Sequence, residues 1–205
     1  MLMTLAAPSG GHATALPSSR TVAPAPRPRV IALAGKAGSG KSTAAKYLIE
    51  RHGYRNGKFA RALKEMTRAF LRYRGADEFT IERMVEGNLK EVPSPLLNGR
   101  SPRYWMQRLG TEFGRELIDQ NLWVDTEMDH IASWPKVVFD DARFPNEVAA
   151  IRAAGGVLIE IVRPGYVAPN IDAGHESEAH SFVPNYFIRN DGEIADLHVK
   201  LDAVA

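Results

Sequence analysis

Apolar residues in this chain fall into short unbroken runs separated by stretches of helical periodicity. Arg29-Val30-Ile31-Ala32-Leu33-Ala34 is the first run, and a run without alternation predicts a strand buried on both faces of a sheet. Thr43 to Glu50 then reads as a helix, which Gly53 ends. Tyr54 to Ala60 brings the chain back, with a short strand expected near Lys58-Phe59-Ala60. Leu63, Met66, Ala69 and Phe70 recur at helical spacing, so Ala62 to Arg74 reads as a helix closed by Gly75. Thr80 reads as the N-cap of a shorter helix beginning Thr80-Ile81-Glu82-Arg83. Pro93, Pro95, Asn98 and Gly99 make Glu91 to Arg100 a loop.

Ser101 as N-cap and Pro102 at the first helical position begin a long helix. Its apolar stripe is Trp105, Leu109, Phe113 and Leu117, widened by Met106 and Ile118, and Trp105 and Phe113 are expected in the core. Leu122 to Ile131 continues as helix until Pro135. Lys136-Val137-Val138-Phe139 is a second buried strand, ending in Asp140-Asp141. Pro145 starts a helix from Asn146 to Ala154, Gly155-Gly156 ends it, and Val157 to Val162 is a third strand. A loop from Arg163 to about Pro184 leads to a strand at Tyr186 to Arg189. Asn190-Asp191-Gly192 turns the chain into a last helix marked by Ile194, Leu197 and Leu201. Strands alternating with helices predict an α/β fold, a mainly parallel sheet with helices on both faces. Ligands of such sheets bind at the carboxyl ends of the strands.

Composition narrows the picture. Residues 1–28 are rich in Ala, Pro, Ser and Thr and contain no acidic residue. With Pro17, Pro24, Pro26 and Pro28 among them, they read as a disordered tail ahead of one domain at 29–205. The net charge of +2 argues against a nucleic-acid or membrane surface. No apolar run approaches the roughly 20 residues that span a bilayer. The absence of cysteine excludes disulfides, thiol catalysis and cysteine metal sites. His175, Glu178 and His180 lack the helical i, i+4 pairing that would suggest zinc.

The chemistry centres on Gly35-Lys36-Ala37-Gly38-Ser39-Gly40-Lys41-Ser42-Thr43, which fits G-x-x-x-x-G-K-[ST] between a strand and a helix. Small residues let successive N–H groups converge into an anion-binding nest, and the helix N-terminus adds partial positive charge. Lys41 suits the β- and γ-phosphates of a nucleotide, and the Ser42 hydroxyl suits Mg²⁺. A buried strand ending in Asp141, with Asp140 beside it, is what the Mg²⁺-side carboxylate of such a protein looks like. On the long helix, Arg108 and Arg115 lie seven apart on one face, and Gln107, Thr111 and Gly114 share another spacing. Gly110 and Gly114 each cost about 1 kcal/mol in a helix interior, so something is expected close to that backbone.

With these pieces in order, the chain resembles the phage-type deoxynucleoside monophosphate kinases among the P-loop nucleoside monophosphate kinases. Besides the phosphate loop, the resemblance rests on Phe59-Ala60-Arg61-Ala62-Leu63-Lys64 and on Pro102-Arg103 through Gln107. It also rests on Leu109-Gly110-Thr111-Glu112 with Arg115, and on Trp123-Val124. The most specific stretch is Asp141-Ala142-Arg143-Phe144-Pro145-Asn146-Glu147; His175-Glu176-Ser177-Glu178 and Ile188-Arg189-Asn190-Asp191-Gly192 complete the set. Ala142 and Arg61-Ala62 depart slightly from that pattern.

The resemblance implies a three-layer P-loop fold with a helical acceptor-binding insertion and a closing loop. It implies a cytoplasmic enzyme that moves the γ-phosphoryl group of ATP to a deoxynucleoside 5′-monophosphate with Mg²⁺. Lys41, Asp141, Arg143 and Arg163 are then the catalytic candidates, and Ser42 and Asp141 the metal ligands. Gly35 to Thr43 and Asn190 hold ATP; Lys64, Arg103, Gln107, Thr111, Arg115, Arg143 and His175 hold the acceptor. Arg143 has a plainer alternative as a surface arginine paired with Glu147. Dephospho-coenzyme A kinase, or an ATP-dependent regulatory module without catalysis, stays open beside this reading. No nucleic-acid or membrane partner is expected, and the long exposed helices suit a monomer and a homodimer alike.

Overall fold

Val30, Ile31, Ala32 and Leu33 have no exposed surface, which makes β1 (Val30–Ala34) the centre of the sheet. The computed structural model describes residues 28–166 and 182–205. The proposed tail at 1–28 therefore lies, but for Pro28, outside the described residues, as do His175, Glu176, Glu178 and His180. The sheet has five strands in the order β2-β3-β1-β4-β5. The others are β2 (Arg55–Gly57), β3 (Val137–Phe139), β4 (Val157–Val162) and β5 (Tyr186–Arg189), and every pairing is parallel.

Alternation along the strands divides the core into two layers. Ile31, Leu33, Val138, Ile159 and Ile161 pack against Ala44, Ala45 and Leu48 of α1 (Lys41–His52) and Leu197 and Leu201 of α7 (Ile194–Asp202). On the other face Ala32, Phe139 and Leu158 pack with Val124 of α5 (Leu122–His130) and with Val148 and Ile151 of α6 (Pro145–Ala153). The fold is thus the three-layer P-loop α/β arrangement expected. A third core lies between α2 (Arg61–Tyr73), α3 (Glu78–Val85) and α4 (Pro102–Arg108), built on Leu71, Ile81, Met84, Val85 and Met106. This is the helical insertion.

Several local expectations are corrected. The short strand is Arg55–Gly57 rather than Lys58–Ala60, because Arg55 N–H donates to the Lys136 carbonyl and the ladder stops at Gly57. Asp77, not Thr80, caps α3: its carboxylate accepts from Thr80 N at 2.9 Å and from the Thr80 hydroxyl at 2.7 Å. Ser101 caps α4 as expected.

The long helix is not one α-helix. After Arg108 it widens into a π-helical segment, Leu109–Ile118, which ends with Asp119 N–H donating to the Gly114 carbonyl. Asp119 to Asn121 then separates it from α5. From Met106, α periodicity carries Phe113 and Leu117 to the same side; the wider turn keeps Gly110 there and brings Thr111 and Arg115 in their place. Phe113 is therefore 41% exposed, Leu117 72% and Ile118 55%, and the expected apolar stripe fails beyond Leu109. Trp105 is half-buried, stacked on Phe70 with ring centroids 4.6 Å apart. Arg108 faces away from Arg115, paired with Glu112 and 5.3 Å from the Tyr104 ring.

What approaches Gly110 and Gly114 is the Trp123 indole. Its Nε1–H donates to the Gly110 carbonyl at 2.8 Å, and a Cβ on Gly114 would overlap the ring. A Cβ on Gly110 would meet only the end of the Leu63 side chain, at 3.3 Å. Gly110→Ala is therefore expected to be neutral or slightly stabilising in urea unfolding, while Gly114→Ala loses about 1–3 kcal/mol by overpacking. Equal effects at the two positions would refute this account of the segment.

Candidate active site

All five strands end on one edge, and each hands the chain to a polar group. The phosphate loop follows β1, Lys58 follows β2, and Asp140, Asp141 and Arg143 follow β3. Arg163 follows β4 and Asn190 follows β5.

In the phosphate loop, Gly38 and Gly40 hold φ of 77° and 108°, a region closed to most side chains. Gly40 is the N-cap of α1, with no side-chain cap and no acidic residue in the first turn. The first amides of α1 thus lack intrahelical acceptors and point their partial positive charge into the loop. Lys41 Nζ donates to the carbonyls of Gly35 at 2.5 Å and Lys36 at 2.9 Å, closing the loop on itself. Ser39 is 3% exposed and its hydroxyl has no hydrogen-bond partner, an orphaned polar atom inside an anion cradle. Ser42 and Thr43 are exposed.

Asn190 braces this loop from β5, its Nδ2 donating to the Ser39 carbonyl at 2.8 Å. A Cβ on Gly40 would meet that amide at 2.5 Å, so the strut and the glycine fit each other. The Tyr166 ring lies against Gly38, and the Arg163 guanidinium sits 5.3 Å from the centre of that ring.

Lys64, Arg103, Gln107, Thr111, Arg115 and Arg143 come from four separate segments, and all line one cleft of about 250 Å³ together with Asp141. A second cavity of about 390 Å³ shares Thr111, Arg115 and Phe144 and runs on to Gln120 and Asn146. Six cationic side chains but only two carboxylates, Asp141 and Glu147, line the first cleft; Asp140, Glu86 and Glu91 beside it pair three of the cations, so a smaller positive excess remains. His175 lies outside the described residues.

Glu147 organises one wall. Its carboxylate accepts from Arg143 N at 2.6 Å, Phe144 N at 3.1 Å and Arg115 Nη2 at 2.7 Å. Burial raises its pKa against the pull of those three donors. The side chain paired with Glu147 is thus that of Arg115; Arg143 contributes its backbone amide. Arg115 is also clamped over the Phe144 ring at 4.1 Å.

Asp140 is ion-paired with Lys58. Asp141 accepts long hydrogen bonds from Phe59 N at 3.4 Å and Ala60 N at 3.3 Å. Burial pushes its pKa up to about 6, opposed by the Lys58 charge and the Ala60 amide and assisted by Glu147 and Asp140. Among the described residues no three His, Asp or Glu side chains cluster as a metal cage. Hydroxyl and carboxylate oxygens from Ser42 and the Asp140–Asp141 pair fit a magnesium ion that takes most of its ligands from water and phosphate.

Lys58, Lys90 and Glu147 line the cleft without having been singled out as ligands in the sequence. Lys58 was hidden because the strand expected at Lys58–Ala60 ends at Gly57 instead. Lys90 sits in an aperiodic polar stretch, and nothing local marks it.

A glycine-lined phosphate loop beside a separate cationic cleft defines a P-loop phosphotransferase with an anionic acceptor. The deoxynucleotide monophosphate kinase family matches residues 67–201 of this chain, a stretch that lies wholly beyond the phosphate loop. A protein of Acanthamoeba polyphaga mimivirus is 33% identical over 162 residues, covering 73% of this chain and 80% of that protein. Its name assigns it, provisionally, to the deoxynucleotide monophosphate kinases. The deoxynucleoside-5′-monophosphate kinase of Escherichia phage T5 is 34% identical over 98 residues, 44% of this chain and 38% of that enzyme. TT1252 from Thermus thermophilus superposes with a TM-score of 0.49 at 18% identity, over 87% of this chain and 97% of that one. A likeness that weak adds nothing to the fold read from the strand order. The chain belongs to the deoxynucleotide monophosphate kinase family.

The raised pKa of Asp141 fixes a sign. Between 3.8 and about 6 the folded chain binds more protons at this group than the unfolded chain does. Its contribution to stability is therefore present below that window and lost as pH rises through about 6. In metal-free buffer, Asp141→Asn is expected to remove this loss from the stability–pH curve measured by urea unfolding. Parallel curves for the variant and the parent would contradict it.

Proposed function

We propose that the chain transfers the γ-phosphoryl group of ATP to a deoxynucleoside 5′-monophosphate, releasing ADP and the deoxynucleoside diphosphate. The observation that carries this reading is the cationic cleft beside the phosphate loop, a second anion site in a family named for deoxynucleotide monophosphate kinases. The acceptor is a phosphate that is mostly dianionic at neutral pH, so no strong general base is required. The work left to the protein is to align two polyanions, neutralise them and exclude water.

On this reading the nest of Gly35–Ser42 holds the β- and γ-phosphates of ATP. Lys41 leaves the carbonyls of Gly35 and Lys36 to meet the transferring phosphate. Ser42 and the Asp140–Asp141 pair would hold magnesium, which would supply charge neutralisation for the phosphates. Arg143 reaches the monophosphate from the end of β3, and Arg115, fixed by Glu147 and Phe144, forms the opposite wall. Lys64 and Arg103 face the same phosphate, while Gln107 and Thr111 face sugar or base toward the second cavity. Arg163 and Tyr166 cover the donor side. The domain is taken as residues 29–205, with 1–28 outside it.

The deciding experiment measures ADP release with Mg-ATP and each deoxynucleoside monophosphate in turn, with dephospho-coenzyme A included. Release that depends on at least one deoxynucleoside monophosphate is expected; release with dephospho-coenzyme A alone, or with none, sinks the reading. Lys41→Ala is expected to lower turnover by about 10²- to 10³-fold or more with an unchanged unfolding curve. Arg115→Lys keeps a charge beside Glu147 but loses the planar fork. It is expected to raise the acceptor KM with little change in that for ATP, and the reverse pattern would move Arg115 to the donor side.

A further inference from the structure

Three cations meet at the end of the cleft nearest the helical insertion: Lys64 from α2, Arg103 from α4, and Lys90 from the segment between α3 and α4. Two of them have carboxylates of their own. Lys64 Nζ donates to both oxygens of Glu86, at 2.9 and 2.8 Å, and Glu86 is shared with Arg68. Arg103 is paired with Glu91. Glu86 and Glu91 are also the acids nearest Lys90 along the chain, and both are committed elsewhere. Among the described residues no ion pair or side-chain hydrogen bond is made by Lys90. Its backbone is fixed, the carbonyl accepting from Arg103 N at 2.9 Å at the start of α4. Burial, reinforced by Lys64 and Arg103, lowers its pKa from the ordinary lysine value, against a partial pull from Glu86 and Glu91.

A half-buried ammonium between two other cations is unfavourable in the empty protein. A bound dianion between the three cations would reverse the sign of this term.

We infer that Lys90 is a binding residue for the acceptor's 5′-phosphate: among the described residues it is the one cation at this end of the cleft left without a carboxylate, and the substrate supplies it. Lys64 and Arg103 share the phosphate but keep Glu86 and Glu91 as counter-charges in its absence. The inference rests on the proposed kinase reading and deepens its acceptor half.

The test is Lys90→Met and Lys90→Arg, assayed against each of the four deoxynucleoside 5′-monophosphates, with inorganic phosphate as a second probe. The Met variant is expected to raise the acceptor KM about 10- to 100-fold. It should leave the ATP KM within about twofold, weaken competitive inhibition by phosphate, and leave the melting temperature of the empty protein unchanged or higher. The Arg variant is expected to recover most of the acceptor affinity. A Met variant with parental acceptor KM overturns the inference, as does one whose ATP and acceptor constants rise together. If Lys90→Met does not fold, the unmutated protein labelled with [¹³C]lysine decides: the Cε resonance of Lys90, identified by its loss in Lys90→Arg, must titrate higher once a deoxynucleoside monophosphate is added. No shift overturns the inference. Absence of acceptor-dependent turnover in the unmutated protein marks failure of the kinase reading itself, a separate outcome.

Discussion

The acceptor side of this protein depends on one buried carboxylate. Glu147 is 3% exposed, yet it holds the amides of Arg143 and Phe144 and the guanidinium of Arg115. Those contacts tie the turn between β3 and α6 to the π-helical segment, which lies about thirty residues earlier in the sequence. A buried acid is costly unless its lone pairs are filled, and removing one partner from such a pair typically loses about 3–5 kcal/mol. The same bonds that satisfy Glu147 therefore fix where Arg115 and Arg143 stand. A site for a polyanion needs cations that do not wander, and here their positions are set by an acid rather than by the substrate.

The cations are managed in the same way across the molecule. Lys58 is held by Asp140, Lys64 by Glu86, Arg103 by Glu91 and Arg115 by Glu147. Lys41, with no acid in the first turn of its helix, is held by loop carbonyls instead. Each arrangement keeps a charged group paired, and Lys58, Lys64 and Arg115 are also largely withdrawn from water, ready to act in a low-dielectric cleft. The net charge of the whole chain, only +2, conceals this local excess. Strands supply the positions: the parallel sheet gathers five carboxyl ends on one edge, and the helical insertion brings Lys64, Lys90 and Arg103 over from a separate core.

Much of this was legible in the sequence, for identifiable reasons. The buried strands carry unbroken apolar runs, and the phosphate loop is a local motif whose geometry is set by its own glycines. Lys64, Arg103, Gln107, Thr111, Arg115 and Arg143 were each picked from local spacing or family pattern, and the fold gathers them in one cleft. What could not be read was non-local. Nothing near Gly114 announces that Trp123 will fill the space above it, and that contact goes with the wide turn that exposes Phe113 and Leu117. Asp77 displaced Thr80 as a cap because a carboxylate three residues earlier could take both the amide and the hydroxyl of Thr80. Lys90 matters only for what surrounds it after folding.

The π-helical segment has a consequence for how this protein tolerates change. A π-helix can be regarded as an α-helix that has absorbed an extra residue without lengthening its axis in proportion. Rewinding Leu109–Ile118 to α geometry without removing a residue would advance every later position around the axis. Arg115 would leave its carboxylate, and an apolar neighbour would turn into the cleft in its place. Substitutions that keep the wide turn leave that register alone, whereas one that narrows it at unchanged length would exchange an ionic wall for a greasy one. The width of the turn, more than the identity of its residues, is the inherited quantity here.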